Sequence, residues 1–355
     1  MGDVLLAGPA VRAVAASGAR VTMLCSPRGS AAAGMLPGVA EVMEWDCPWI
    51  SADAPDLNAE STRELVQSIA THGFDEAVIL TSFHQSPLPL ALLLRLAGVP
   101  RIGGASVDYA GTLLDVRLRP GDEPGDDLPE GIPEAERALR IAEACGFRLP
   151  ESDPGLLSVH GAVAATGMPK PYVVLHPGAT APARTWTKEG YAAVASALIE
   201  LGVHVVVTGT GDERPLTAAV AAHGGTDRGG KLDLPELAGV LAGAAVVVSG
   251  NTGPAHLAAA VGTPVVSLFS PVVPAVKWAP FGVPHVLLGD QQAACAGSRA
   301  RVCPVPGHPC LSGITTTQVV DACLWLAPKL LRRPRSRGRT HVVPSSGRAR
   351  EAVAP

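Results

Sequence analysis

The 355-residue chain is predicted to be an α/β protein with two Rossmann-like, doubly wound domains facing a cleft. Three observations predict this. Short apolar runs alternate with helical stretches through both halves, as in parallel sheets covered by helices. A segment rich in proline and glycine, 156–171, interrupts that alternation and reads as a linker. The stretch from Val246 to Ser270 contains a complete strand, polar turn, small-residue helix and second strand. The predicted division is 1–155 for the first domain, 172–330 for the second, and a basic disordered tail over 331–355.

Taken in order, Gly2-Asp3 reads as a polar turn, followed by a helix from Pro9 to Ser17, a glycine stop at Gly18 and a strand from Arg20 to Leu24. An α/β domain normally places a strand before such a turn. The first strand is therefore missing from this sequence; either the sheet lacks an edge or the true start lies upstream, and the second is the favoured expectation, with a short valine- and leucine-rich strand preceding residue 1. Next come a helix over 30–35, a strand over 41–45, a helix over 59–72, a strand over 76–81, a helix over 88–97 and a strand over 101–103. The stretch 119–133 is a loop rich in Asp, Glu, Gly and Pro, and 133–145 is an amphipathic helix.

After the linker the pattern restarts with a strand at Tyr172 to His176. A helix over 188–200, a strand over 204–208 and helices over 215–222 and 234–242 follow. The strand Ala245 to Ser249 then leads into the turn Gly250-Asn251-Thr252-Gly253, a helix from Pro254 to Val261 and a strand from Thr263 to Phe269. Proline suits a first helical turn, and Asn251 or Thr252 can cap it. The amides of that turn form a natural phosphate site. The spacing is not Gly-x-Gly-x-x-Gly, so a dinucleotide fold is not the first choice.

Composition bounds the function. Hydrophobic residues make up 47% and charged residues 17%, a globular profile. The net charge of −4 conceals an asymmetry: from Lys329 onward eight basic residues stand against one acidic residue, so the remaining body has 20 basic and 31 acidic groups, or −11. An acidic body offers no broad nucleic-acid surface. No positive leader precedes an apolar stretch at the start, and no apolar run is long enough to span a membrane. A cytoplasmic protein is expected, with the basic tail able to bring it to the inner face of the plasma membrane. Seven cysteines, an odd number, do not suggest a disulfide scaffold.

Three turns leave strand ends on one side of the second sheet: His176 to Thr180, Thr208 to Glu213, and Ser249 to His256. Together they supply glycine amides, hydroxyls and the acidic pair Asp212 and Glu213 for ribose hydroxyls, with Arg184 to neutralise a diphosphate. His256 can reach the same phosphate, or can be a helix histidine bonded to a carbonyl. Cys295, Cys303, His308 and Cys310 place three thiols and an imidazole within sixteen residues. They could close a tetrahedral zinc site, although free thiols in a proline-rich loop are the commoner outcome of such spacing.

Several blocks resemble glycosyltransferase family 9, the ADP-heptose lipopolysaccharide heptosyltransferases and their relatives. These are Gly2-Asp3-Val4-Leu5-Leu6 with Pro9, His176-Pro177-Gly178-Ala179 with Arg184 and Trp186, and Asn251 to Ala260 followed by Gly262-Thr263-Pro264. The resemblance implies a GT-B architecture, a nucleotide-sugar donor (ADP-heptose or similar) on the second domain and a cell-envelope glycan or lipid-linked acceptor on the first. It further implies inverting transfer without a cofactor or metal. By the same resemblance Asp3 is the candidate base. Thr180, Arg184, Asp212, Glu213, Asn251, Thr252, Gly253 and His256 fall on donor-binding positions. The family commonly has aspartate where Asn251 stands, and often Phe-Gly-x-Thr where this chain reads Phe269-Ser270-Pro271-Val272. Two further readings keep the fold: a nucleotide-sugar epimerase and a non-catalytic nucleotide-sugar binder.

Overall fold

A computed structural model describes residues 1–50, 56–82 and 85–331. The tail read as disordered begins at 331, so from 332 onward it lies outside the described residues. The first half runs α1 (Gly2–Leu6), α2 (Gly8–Ala15), β1 (Val21–Cys25), α3 (Pro27–Ala33) and β2 (Val39–Glu44). It continues with α4 (Ala59–His72), β3 (Glu76–Ile79), α5 (Leu88–Leu96), β4 (Arg101–Ala105), β5 (Val116–Leu118) and α6 (Glu134–Ala144). The second half begins with β6 (Tyr172–His176), α7 (Lys188–Glu200), β7 (His204–Val207), α8 (Arg214–Ala221), β8 (Thr226–Asp227) and α9 (Leu234–Gly243). It ends with β9 (Val246–Gly250), α10 (Gly253–Ala260), β10 (Val265–Leu268), α11 (Ala275–Trp278), β11 (His285–Leu288), α12 (Pro309–Ser312) and α13 (Thr316–Leu326).

The second half forms one six-stranded sheet in the order β11-β10-β9-β6-β7-β8, all pairs parallel. This is the order of a doubly wound nucleotide-binding sheet, with the chain reversing direction of growth between β6 and β9. Every residue of β6, β9 and β10 is buried, as expected for parallel strands covered by helices on both faces. Val173, Leu175, Val205 and Val248 pack on one face with Tyr191, Val194 and Leu198 of α7. Val174, Val206, Val247 and Val265 pack on the other with Leu241, Leu257 and Ala258.

The first half distributes its strands over two sheets, β1-β2 and β3-β4-β5. Laid over the same winding order, these are the two arms on either side of one central position, and no described strand occupies that position. In that order the missing strand would lie between β1 and β3. Leu24 of β1 and Met43 of β2 pack on the cluster holding Ile79 and Ile102, so the two arms share a core. The strands beside the gap are less covered than those of the second half: β1 is half-buried throughout, and β3 only at its last residue is fully buried.

Gly2-Asp3 also departs from expectation. These residues form the first turn of α1 instead of a free turn, and Leu5 and Leu6 are buried beneath it. The segment 156–171 is pinned along its length: the His160 amide donates to the Met35 carbonyl (2.9 Å) and the Val163 amide to the Pro235 carbonyl (3.0 Å). Just before it, Arg12 forks onto Asp153 at 2.6 and 2.9 Å.

Candidate active site

The carboxyl ends of β7, β6 and β9 lie side by side, so the turns 208–213, 177–181 and 251–253 leave the sheet together. They also touch. A Cβ added at Gly178 would lie 1.9 Å from Glu213 Oε1, and one at Gly250 would lie 2.6 Å from the Arg184 carbonyl oxygen. Only glycine lets neighbouring turns close to this distance. The Arg184 guanidinium donates from Nη1 to the Asn251 carbonyl at 3.5 Å, which draws the first turn over the third.

Thr252 is the N-cap residue of α10 and makes no side-chain cap bond, so no side chain closes the first turn of that helix. Its hydroxyl lies 3.3 Å from that of Ser249. His256, one turn into α10, is buried, and its Nδ1 has no hydrogen-bond partner among the described residues. Burial lowers its pKa to about 4, against the pull of Asp3 and with a push from Arg184. The imidazole is therefore neutral near pH 7. Burial likewise lowers the Arg184 pKa, and its Nε is buried without a hydrogen-bond partner among the described residues. A cation and an imidazole withheld from water beside an uncapped helix start form a site shaped for an anion.

The other expected residues divide. Thr180 and Asp212 are exposed at the rim. Glu213 accepts from the Thr210 amide at 2.8 Å in a capping box and sits against Gly178. Its charge also reaches His176, which is buried beside Thr208 Oγ1 (2.9 Å) with its pKa lowered to about 4 chiefly by burial. Asn251 is in the third turn, yet its side chain is spent on the backbone: Nδ2 donates to the Ser270 carbonyl and Oδ1 accepts from the Ser270 amide, both at 3.2 Å. Its contribution is to shape the turn by tying β9 to the end of β10.

Asp3 arrives from the other half of the chain. Helix α1 packs on α10, where a Cβ on Gly2 would be 3.0 Å from His256 Cδ2 and one on Gly253 would be 2.1 Å from Met1 Cε. The exposed Asp3 carboxylate accepts a hydrogen bond from Trp278 Nε1 at 3.3 Å. Next to Trp278, buried Lys277 places Nζ 2.9 Å from Glu130 and 3.6 Å from Glu134. Burial raises the Glu134 pKa, with Arg137 and then Lys277 opposing it. Neither Lys277, Trp278 nor Glu134 was expected from the sequence. A single cation and aromatic after a strand carry no periodic signal, and their partners lie more than a hundred residues away.

The cysteine cluster does not assemble as a metal site. Among the described residues no group of three or more His, Cys, Asp or Glu side chains is placed to hold a metal ion. His308 uses Nε2 on the Ala183 carbonyl (3.0 Å), and Cys303 donates to the Val305 carbonyl (3.3 Å). Cys295 and Cys310 are buried free thiols, and burial pushes Cys310 up to about 11. These thiols fill the core behind Ser270.

Comparison with solved structures identifies the fold. The fold matches an ADP-heptose lipopolysaccharide heptosyltransferase II of Escherichia coli with a TM-score of 0.68 at 20% identity, covering 92% of this chain and 95% of that one. A family 9 glycosyl transferase of Veillonella parvula gives the same TM-score at 17% identity, covering 92% and 93%. The protein has the α/β, GT-B architecture of these enzymes. Residues 133–307 match the model of glycosyltransferase family 9 (heptosyltransferase). By sequence, it is 32% identical to lipopolysaccharide heptosyltransferase 1 of Pseudomonas aeruginosa over 226 residues, 62% of this chain and 61% of the relative. It is 34% identical to an Escherichia coli lipopolysaccharide heptosyltransferase 3 over 109 residues, 29% of this chain. The chain thus spans 61% and 32% of the lengths of these two curated relatives.

Proposed function

We propose that the protein is an inverting glycosyltransferase that moves a heptose-like sugar from a nucleotide-diphosphate donor, ADP-heptose or similar, to a cell-envelope glycan or lipid-linked acceptor. The observation that carries this reading is the convergence of three strand-end turns under α10 with Asp3 delivered from the opposite half. In this reading residues 172–330 hold the donor and 1–155 the acceptor. The diphosphate sits on the first turn of α10 between Arg184 and His256, with Thr252, Gly253 and Thr180 beside it. Glu213, held at the strand ends, takes a ribose hydroxyl, and Asp212 borders it. Asn251 keeps the turn in shape.

The chemistry follows from charge. As the acceptor hydroxyl attacks the anomeric carbon, its proton passes to Asp3 and the diphosphate leaves from the opposite face. Arg184, the helix amides and the His256 ring meet the growing negative charge, so the step does not depend on a metal. The basic residues from Lys329 onward would hold the protein at an anionic membrane where a lipid-linked acceptor resides. Among the described residues no helix is long and apolar enough to cross a membrane.

Calorimetric titration with ADP-heptose, ADP and a panel of other nucleotide-sugars tests the donor. Binding confined to adenosine diphosphate compounds, with slow donor hydrolysis, is the expected result. Binding without any hydrolysis or transfer identifies a non-catalytic binder, and no binding at all overturns the reading.

A further inference from the structure

We infer that Trp278 is the positioning residue for Asp3, a role that rests on the reading of Asp3 as the base. Asp3 is exposed in the first turn of a five-residue helix, where a short carboxylate in water samples several rotamers. The indole N–H of Trp278, at 3.3 Å from Oδ1, is the hydrogen bond its side chain makes among the described residues. One oxygen is thereby engaged, and the other is left for an acceptor proton.

Trp278 is itself held firmly. Its half-buried ring packs against the cluster in which Leu6 of α1 meets Ala259 and Ala260 of α10, the helix that begins at the donor turn. One residue earlier, Lys277 is 3% exposed and sits between Glu130 and Glu134 of the first half. A buried ammonium between two carboxylates fixes a backbone well, because leaving either sign unpaired is costly. The Ala279 amide closes the α11 turn on the Ala275 carbonyl at 2.8 Å. The indole therefore aims its donor from a rigid base instead of following the carboxylate.

This geometry assigns different work to neighbours. Lys277 anchors the turn, Trp278 orients the carboxylate, and only Asp3 exchanges a proton with substrate. Fixing a base within a fraction of an ångström matters because small misplacement of a reacting group costs rate out of proportion to its effect on binding.

The test is a double-mutant cycle on the full-length protein with Trp278→Phe and Asp3→Asn, with Trp278→His as the conservative control. Phenylalanine retains the packing and removes the donor. Turnover of Trp278→Phe should fall about ten- to a hundred-fold, while ADP affinity by calorimetry and the melting temperature stay near the parent's. Trp278→His, which restores a ring N–H, should recover part of the loss. In the Asp3→Asn background Trp278→Phe should change turnover less than twofold, since there is no base left to orient. An additive effect there, or parental turnover in Trp278→Phe, overturns the positioning role. Parental turnover in Asp3→Asn alone overturns the base itself, so the two failures are distinguishable.

Discussion

At the scale of single residues, Asp3→Asn keeps size and the Trp278 bond but cannot accept a proton. Turnover should drop by about two to four orders of magnitude with donor affinity near normal, measured by steady-state kinetics and calorimetry. His256 makes a separate prediction. Its folded pKa is about 4, below the unfolded value near 6.5, and His176 behaves alike. Between these values the unfolded chain binds more protons, so stability rises with pH across that window, is fully present above about 6.5, and is lost as pH falls toward 4. A denaturant midpoint that stays constant from pH 7 to pH 4.5 would contradict it. A diphosphate placed against the ring should also raise its pKa, so ADP titrated near pH 6 should take up protons, seen as a binding heat that varies with buffer ionisation enthalpy. Asp3 was singled out only through the family resemblance, whereas the turn 250–253 was legible as a turn because glycine and proline punctuate it. Asn251 was legible only as a position. That its amide grips both backbone groups of Ser270 depends on β10 lying beside β9, which local sequence does not state. Asn251→Asp would set a carboxylate oxygen against the Ser270 carbonyl, and should lower the melting temperature by several degrees, corresponding to about 1–3 kcal/mol.

Among the elements, those with strong end signals were read to the residue. Helix α4 runs from the Asn58 cap to Gly73 in the left-handed region, and α7 starts from the Thr187 cap. Missed elements include the short β5 and β8, of three and two residues, α1, which begins with a Gly-Asp pair that reads as a turn, and everything after Phe269, among it the eleven-residue α13 with its Thr315–Gln318 capping box. The linker is the main surprise at this scale. Composition marked it only as an interruption between domains, yet a Cβ on Gly239 of α9 would lie 1.6 Å from the Val163 carbonyl oxygen, so helix and linker backbones are in direct contact. Gly239→Ala must push that backbone aside and should cost about 1–3 kcal/mol. A melting temperature equal to the parent's would show that the contact yields freely.

For the whole molecule, the two halves differ in how completely their strands are covered, and stability should divide along that line. Amides of β6 and β9 should exchange with solvent far more slowly than those of β1 and β3, measured by hydrogen exchange with mass spectrometry. Equal protection in both halves would refute the division. Thermal unfolding should then show two steps, and ADP should raise that of the second half while leaving that of the first nearly unmoved, because a ligand stabilises only the unit that binds it. The repeated winding order explains why the sequence revealed the architecture: each half is written in the same alternation, even with one central place unfilled. That place has a further consequence. The edges of β1 and β3 that face this place each carry a row of amides and carbonyls with no strand beside them among the described residues. Such rows act as templates for any extended chain, including the loosened segments of another copy. On warming, association should therefore begin from the first half, and light scattering should climb steeply with protein concentration while the six-stranded sheet is still intact.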